Sequence, residues 1–172
     1  MLQLVRLNEE YKNQLHELMD EWTAANEKIV PFAIRKNDCH DFQNYVNNLD
    51  DKITENPNLV PSTTYFCLDT NRNIFVGAVN IRHYLNDTLL QSGGHIGDGI
   101  RPSERRKGFG TQMLKLALDK CREMGIEKVL MICDKENIAS AKTIINNGGR
   151  LENEIMHNGT FIQRYWIQTT DV

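Results

Sequence analysis

The chain has 172 residues and a formal net charge of −3, with 20 Lys and Arg against 23 Asp and Glu. That length suits one domain, residues 1–172, with a substantial core, and no Pro/Gly/Ser-rich linker offers a place to divide it. The balanced charge gives no broad basic footprint for nucleic acid, and no apolar run approaches the roughly 20 residues that span a bilayer. The N-terminus Met1–Arg6 lacks the arrangement of a secretory signal, so a cytoplasmic protein with no membrane or nucleic-acid partner is expected. Cys39, Cys67, Cys121 and Cys133 are scattered without zinc-ligand spacing; they are expected to be buried thiols, with no disulfide and no metal.

In chain order, Leu2 to Leu7 alternates as a short strand, and Glu9 to about Ala25 carries Leu15, Leu18, Met19 and Trp22 on one helical face. Pro31 interrupts the following apolar stretch, Ile29 to Ile34, which predicts a loop. Phe42, Tyr45, Val46 and Leu49 then predict a second helix over Asp38 to Ile53. Thr63 to Leu68 and Ile74 to His83 read as a hairpin, because Asp69-Thr70-Asn71-Arg72-Asn73 between them is rich in turn formers. A third strand, Gly94 to Ile100, leads into a basic turn and a long helix from Gly108 to Met124, which Gly125 terminates. The strand Lys128 to Cys133, a helix from Asn137 to about Asn147, and the strands Leu151 to Met156 and Thr160 to Gln168 complete the chain. The Asn158-Gly159 pair marks the last hairpin.

The densest information lies in the turn Ile100-Arg101-Pro102-Ser103-Glu104-Arg105-Arg106-Lys107-Gly108-Phe109-Gly110-Thr111. A helix beginning there exposes about four unpaired N–H groups and the positive end of its dipole. Gly108 and Gly110 let an anion approach the backbone, and Arg105, Arg106 and Lys107 add formal positive charge. A tight connection with a solvated basic surface is the plainer alternative. The turn has neither the spacing of a nucleoside-triphosphate loop nor the Gly-x-Gly-x-x-Gly of a dinucleotide site, which argues against a nucleotide-binding regulator.

Arg105-x-x-Gly108-x-Gly110 resembles the Arg/Gln-x-x-Gly-x-Gly/Ala signature of the GNAT superfamily of acyl-coenzyme A dependent N-acyltransferases. Asn137-Ile138-Ala139-Ser140 resembles the family's Asn-x-x-Ala/Ser helix start, so a coenzyme-binding core is expected from Gly93 to about Trp166. The resemblance implies an α/β (α+β) fold: a mixed, mostly antiparallel central sheet, splayed at a parallel strand pair and flanked by helices. It implies an N-acetyltransferase that moves an acetyl group from acetyl-CoA to a primary amine of a small molecule or peptide by direct attack in a ternary complex.

Carried over position by position, the amides of Arg106, Lys107, Gly108, Phe109 and Gly110 hold the pyrophosphate and Thr111 adds a hydroxyl. Ile100 and Arg101 offer backbone groups to the pantetheine arm, Asn137 meets that arm with its side-chain amide, and Ser140 lies one turn on. Asn137 also fits a helix N-cap, and Lys142 either approaches a coenzyme phosphate or faces solvent. Where many relatives have a Tyr seven residues after the motif Asn, this chain has Ile144; Tyr165 is either a replacement acid or an ordinary strand aromatic. The missing Tyr motivates a second reading, a non-catalytic acyl-CoA-binding sensor or structural module.

His95 and Asp98 are the nearest candidates for the base, with Glu104 just beyond. Positions 95 and 98 fall on opposite faces of a regular strand, an inference that a bulge would cancel. Specificity is assigned to the Glu27–Lys36 loop and the final hairpin, with Glu9, Glu10, Asp20, Glu21 and Glu27 as a candidate attraction for a cationic amine. The last strand, through Arg164-Tyr165-Trp166-Ile167, either joins a homodimer edge or is covered.

Overall fold

Alternation along the strands sorts the apolar residues onto two faces, and each face is closed by its own helices. In this computed structural model, which describes residues 1–53, 56 and 58–171, β1 (Leu2–Val5), β2 (Ser62–Asp69), β3 (Ile74–Arg82) and β4 (Ile96–Ile100) form one antiparallel sheet in the order β1-β2-β3-β4. The expected domain 1–172 includes positions 54, 55, 57 and 172, which lie outside the described residues. A second sheet contains β5 (Lys128–Asp134), β6 (Arg150–His157) and β7 (Thr160–Gln168) in the order β5-β7-β6. The last strand is therefore covered on both sides and β5 and β6 are the edges, so β7 is not an available dimer edge.

On one face, α1 (Lys12–Ala24), α2 (Phe32–Arg35) and α3 (Phe42–Asn47) supply Leu15, Leu18, Trp22, Ile34, Phe42 and Tyr45 to a core with Phe66, Phe75 and Ala78. On the other, α4 (Phe109–Glu123) and α5 (Ile138–Asn146) supply Met113, Leu114, Ala117, Leu118, Cys121, Ala141 and Ile144 against Val76, Val79, Ile81, Ile96, Val129 and Met131. A bulge keeps β3 in phase: Leu68 pairs with Phe75 and Cys67 with Gly77, leaving Val76 as the extra residue. Among the described residues, no helix is long and apolar enough to cross a membrane.

The helix expected over Asp38 to Ile53 is cut to Phe42–Asn47. Asp41 caps its start, and beyond it the chain is recruited by the start of β2: Asp50 Oδ1 accepts from Thr64 N–H at 2.7 Å, and Asp51 C=O accepts from Ser62 N–H at 2.9 Å. Phe42, Tyr45 and Leu49 are buried as the periodicity requires, so the apolar positions are those expected although the helix is short. Two further departures are α2, inside the expected loop, and one turn of π-helix at Leu89–Gly93.

Between the sheets, β4 and β5 form no ladder; they meet at one end and part at the other. The meeting point is a reciprocal pair in which His95 N–H donates to Leu130 C=O at 2.8 Å and Leu130 N–H donates to His95 Nδ1 at 2.9 Å. Gly94 permits this approach, having φ +68 and a Cβ position that would lie 2.6 Å from Leu130 O. The hydrogen bonds Arg82 N–H to His95 C=O and Arg101 N–H to Val76 C=O fix the phase of β4, so its odd residues bond β3 while Asp98 and Ile100 turn their backbone groups toward the gap. The bonds Thr169 N–H to Glu127 C=O and Lys135 N–H to Phe161 C=O do the same for β5, aiming Ile132 at the gap.

The glycines of β4 let a loop lie on the opposite face of this strand. A Cβ at Gly99 would stand 2.4 Å from Val30 O and 2.9 Å from Trp22, whereas one at Gly97 would stand 3.3 Å from Pro31 Cβ. Gly99→Ala is therefore expected to push the Val30–Pro31 segment off β4 and destabilise the fold by about 1–3 kcal/mol, with a smaller effect for Gly97→Ala, read from urea midpoints. Burial, with help from the Arg82 charge, lowers the His95 pKa to about 4. The folded form thus favours neutral His95, and the stability it contributes is full above its unfolded pKa of about 6.5 and lost as pH falls toward 4. His95→Ala should destabilise by about 1–3 kcal/mol at pH 8, because Leu130 N–H loses its acceptor, and should flatten the stability change between pH 6.5 and pH 4. Urea titrations across that range check both outcomes.

Candidate active site

The parting of β4 and β5 opens a cleft of ≈ 510 Å³ that passes between the two sheets. Its walls are Ile96, Gly97 and Asp98 of β4, Ile132, Cys133 and Asp134 of β5, and Asn137 and Ser140 at the start of α5. Val30, Pro31 and Phe32 close it from the α1 face, with Arg82, Ser92 and Gly93 beside them, and the β6–β7 hairpin adds His157, Asn158, Thr160 and Ile162. The two segments expected to set specificity, the Glu27–Lys36 loop and the final hairpin, thus both reach the cleft.

At the end of β4, a 3₁₀ turn at Pro102–Glu104 carries the chain into α4. Arg106 takes a left-handed φ of 61 and Gly108 a φ of 80, and Gly108 serves as N-cap without a side-chain capping bond. The first return bond of α4 is Gln112 N–H to Gly108 C=O at 3.3 Å, so the amides of Phe109, Gly110 and Thr111 precede the helical ladder. A Cβ on Gly110 would lie 3.5 Å from Thr143 Oγ1 and 3.7 Å from Ile100 Cγ1, which puts this amide-rich start beside the end of β4 and against α5.

The three basic residues of the turn are not equivalent. Arg105 Nε donates to Ile100 C=O at 3.1 Å, its Nη2 pairs with Glu27 at 2.7 Å, and its guanidinium lies 5.7 Å from the centre of the Trp22 ring. Its side chain is therefore turned toward α1 and away from the α4 amides, contrary to a direct phosphate contact. Lys107 Nζ lies 3.3 Å from Glu104, which Arg72 also grips with two 2.9 Å bonds. The Arg72 and Lys107 contacts hold the buried Glu104 carboxyl below its ordinary pKa despite burial, and leave it no role as a base in the cleft. Arg106 is exposed and, among the described residues, has no ion-pair partner. Phe109 lies under Arg72 at 5.5 Å, and half-buried Thr111 accepts from Asn147 Nδ2 through its carbonyl at 3.2 Å.

Of the two residues expected to present backbone to a pantetheine arm, Ile100 points its N–H into the gap while its carbonyl is taken by Arg105. Arg101 does not: its N–H is spent on Val76 at 2.9 Å, and its buried side chain binds Phe75 C=O at 3.2 Å and Glu21 at 2.7 Å. Asn137 is the N-cap of α5, its Oδ1 accepting from Ser140 N–H at 3.1 Å, and both residues also line the cleft. Ser140 hydrogen-bonds the Cys133 thiol, whose pKa burial pushes up. Lys142 is exposed and outside the cleft.

Among the titratable candidates, Asp98 lines the cleft, and burial raises its pKa to about 6. His95 does not line it, and its Nδ1 lone pair is already committed to Leu130, so it holds the strands together and cannot accept a proton there. Tyr165 is buried in the α4–α5 core with its hydroxyl donated to Gln163 at 2.7 Å; it is an ordinary strand aromatic outside the cleft. Ile144 is fully buried in the same core. Arg82 and His157 are not marked in the sequence, because a single arginine ending a strand carries no pattern and His157 reads only as part of a turn. Asp38, Cys39 and His40, whose ligand atoms lie within 4.8 Å of one another away from the cleft, are likewise unmarked, since they lack the spacing of paired cysteine ligands.

The fold is similar to that of mutant forms of the spermidine/spermine N-acetyltransferase SpeG from Vibrio cholerae, at 17% identity over 99% of this chain and 96% of that chain, with a TM-score of 0.64. It is similar to the microcin C7 self-immunity acetyltransferase MccE in complex with acetyl-CoA and AMP, at 16% identity over 97% and 92%, TM-score 0.66. RimL, a ribosomal L7/L12 alpha-N-protein acetyltransferase solved in complex with coenzyme A, matches at 17% identity over 97% and 93%, also with a TM-score of 0.66. No curated protein matches. At these identities the structural likeness speaks for the fold, but the sequence model of the acetyltransferase (GNAT) domain matches residues 2–150, and with the split strands and the glycine turn in place the chain belongs to the GNAT acetyltransferase family.

Proposed function

We propose that the protein transfers an acetyl group from acetyl-CoA to a primary amine of a small molecule or peptide, by direct attack while both are bound. The observation that carries this reading is the cleft between β4 and β5, whose facing backbone groups are left without strand partners beside an amide-rich helix start. Those features suit a diphosphate joined to an extended amide-bearing chain: the amides of Phe109, Gly110 and Thr111 with Arg106 for the charge, and Asp98, Ile100 and Ile132 backbone groups with Asn137 for the arm. When bound, acetyl-CoA supplies an activated thioester. The protein's part is to align an amine with it, polarise its carbonyl through a β4 amide such as that of Ile100, and take a proton.

Asp98 is the base this reading selects, directly or through water, because it is the titratable β4 side chain that opens on the cleft and its pKa is raised toward neutrality. No side chain is assigned as the acid, since Ile144 and Tyr165 are both in the core. The free, buried state of all four cysteines supports a cytoplasmic setting. A non-catalytic acyl-CoA-binding module is the second reading, favoured by the apolar Ile144; it predicts coenzyme binding without amine-dependent release of free thiol.

Acetyl-CoA at 100 times its dissociation constant should add about 2.7 kcal/mol and raise the unfolding midpoint by roughly 5–11 °C, with no shift from ATP. Amine-dependent thiol release across a panel of primary amines would then separate enzyme from module. The activity should rise with pH through about 6 as Asp98 ionises, and Asp98→Asn should lower kcat about a hundredfold and abolish that limb. Because the folded pKa of Asp98 is raised, the fold bears the penalty of its charge above pH 6 and is relieved of it as pH falls toward 4. Asp98→Asn should accordingly stabilise the protein at pH 8, by up to about 3 kcal/mol, and leave it unchanged at pH 4, which urea midpoints at the two pH values check.

A further inference from the structure

Arg82 ends β3 on the side of β4 that carries the Pro31 loop, opposite the face from which α4 and α5 approach. A Cβ placed on Gly97 would lie 3.3 Å from Pro31 Cβ, 3.7 Å from Arg82 Nη2 and 3.9 Å from Arg82 Nη1, so the guanidinium and the Pro31 loop share this side of β4. Nη1 is held by the carbonyls of Gly93 at 3.1 Å and Gly94 at 3.2 Å, which fixes the plane of the group. Among the described residues, Nε and Nη2 form no hydrogen bond and no carboxylate lies within ion-pair distance. Asp51 acts on Arg82 through space but is itself paired with Lys36 at 2.8 Å. Burial disfavours the charge of this side chain and lowers its pKa, so a half-buried cation is kept in the wall of a cavity with no paired carboxylate among the described residues.

An arginine anchored through one nitrogen presents its Nε–Nη2 edge as a planar two-donor fork, the shape that a carboxylate fills bidentately. The other polar side chains on this side are already engaged: Ser92 donates to Thr88 C=O at 3.4 Å, Thr160 to His157 C=O at 3.2 Å, and Asn158 Nδ2 lies 3.1 Å from His157 Nε2. Of the acidic residues that would draw in a polycation, Glu21 is engaged by Arg101 and Ser103 and Glu27 by Arg105. Building on the proposed acetyl transfer, we infer that the acceptor is an amine that also carries a carboxylate, as in an amino acid, and that Arg82 binds this carboxylate while the amine reaches through the split toward Asp98.

The test uses the purified protein with saturating acetyl-CoA, following thiol release with acceptor pairs that differ only in the carboxylate: phenylalanine and phenethylamine, methionine and 3-(methylthio)propylamine, lysine and cadaverine. In the best pair the amino acid should have at least tenfold higher kcat/KM than its decarboxylated partner. Arg82→Gln should raise KM for that amino acid tenfold or more and lower kcat/KM for the decarboxylated amine by a much smaller factor. This second arm also controls for folding, since Arg82 anchors the Gly93–Gly94 carbonyls and a collapsed cleft would lower both activities. Equal or better turnover of the decarboxylated amines, or an equal loss for both classes in Arg82→Gln, overturns the inference. If acetyl-CoA raises the unfolding midpoint but neither class is turned over, the carboxylate inference falls and coenzyme binding stands; if acetyl-CoA gives no shift, the acetyl-transfer reading falls and takes the inference with it.

Discussion

The two hydrogen bonds between His95 and Leu130 are the constraint on which the rest of the site depends. Strands with regular registers would zip along their whole length, and nothing would enter between them. Here β5 meets a side-chain nitrogen where a ladder would offer a backbone carbonyl, so the pairing is satisfied once and does not propagate. The demand on His95 is strict. Its Nδ1 must stay unprotonated to accept from Leu130 N–H, and burial beside Arg82 enforces that by depressing its pKa. Gly94 supplies the left-handed turn into the clasp and the absence of a Cβ at the closest approach. Beyond it, strand parity aims the Asp98, Ile100 and Ile132 backbone groups into the gap without a residue dedicated to opening it.

The charges around the glycine turn follow a similar economy. Glu104 is buried and held by Arg72, which also binds Asp69 at 2.6 Å, so the base of the turn is tied to the end of β2. Glu27 and Glu21 tie Arg105 and Arg101 to the far side of the sheet, across Trp22. The exposed Arg105–Glu27 pair contributes little free energy, typically below about 1 kcal/mol. The effect of these contacts is to fix the turn, so that the left-handed backbone at Arg106 and Gly108 is set before any anion arrives. Arg106 is left with charge to offer, in a conformation that disfavours a non-glycine residue by about 1–2 kcal/mol. Strain at the residue whose charge is unspent is what an anion site tolerates and a merely connecting turn would have no reason to keep.

Much of this was legible in the sequence because the relevant signals are local. Alternating or helically spaced apolar residues located every strand and four of the five helices, and Arg105-x-x-Gly108-x-Gly110 located the turn. What escaped has long-range causes. The second helix stops at Asn47 because Asp50 and Asp51 are claimed by Thr64 and Ser62, a contest no window over residues 38–53 can contain. Arg105 turns away because Glu27 and Trp22 lie on a distant helix and its loop. The unperturbed pKa of His95 suits a base, and only the approach of Leu130 reveals that its Nδ1 lone pair is spent. Parity separates positions 95 and 98 on a regular strand, but β4 begins at Ile96 and His95 meets β3 only through its carbonyl, so parity does not place its side chain.

The same separation of local from distant signals bears on how the acceptor is selected. Negative residues on and around α1 suggest, by count, a surface that gathers cations, yet Glu21 and Glu27 are spent as clamps on Arg101 and Arg105. A carboxylate already holding an arginine gives little further attraction to a distant amine, whereas a guanidinium with an unfilled edge in a cavity wall acts at full strength on whatever enters. Composition therefore points toward a polycation and the pairing pattern toward an anion. The pairing pattern is the stronger argument, since selectivity depends on the charges left uncompensated where the ligand sits and not on how many are carried nearby.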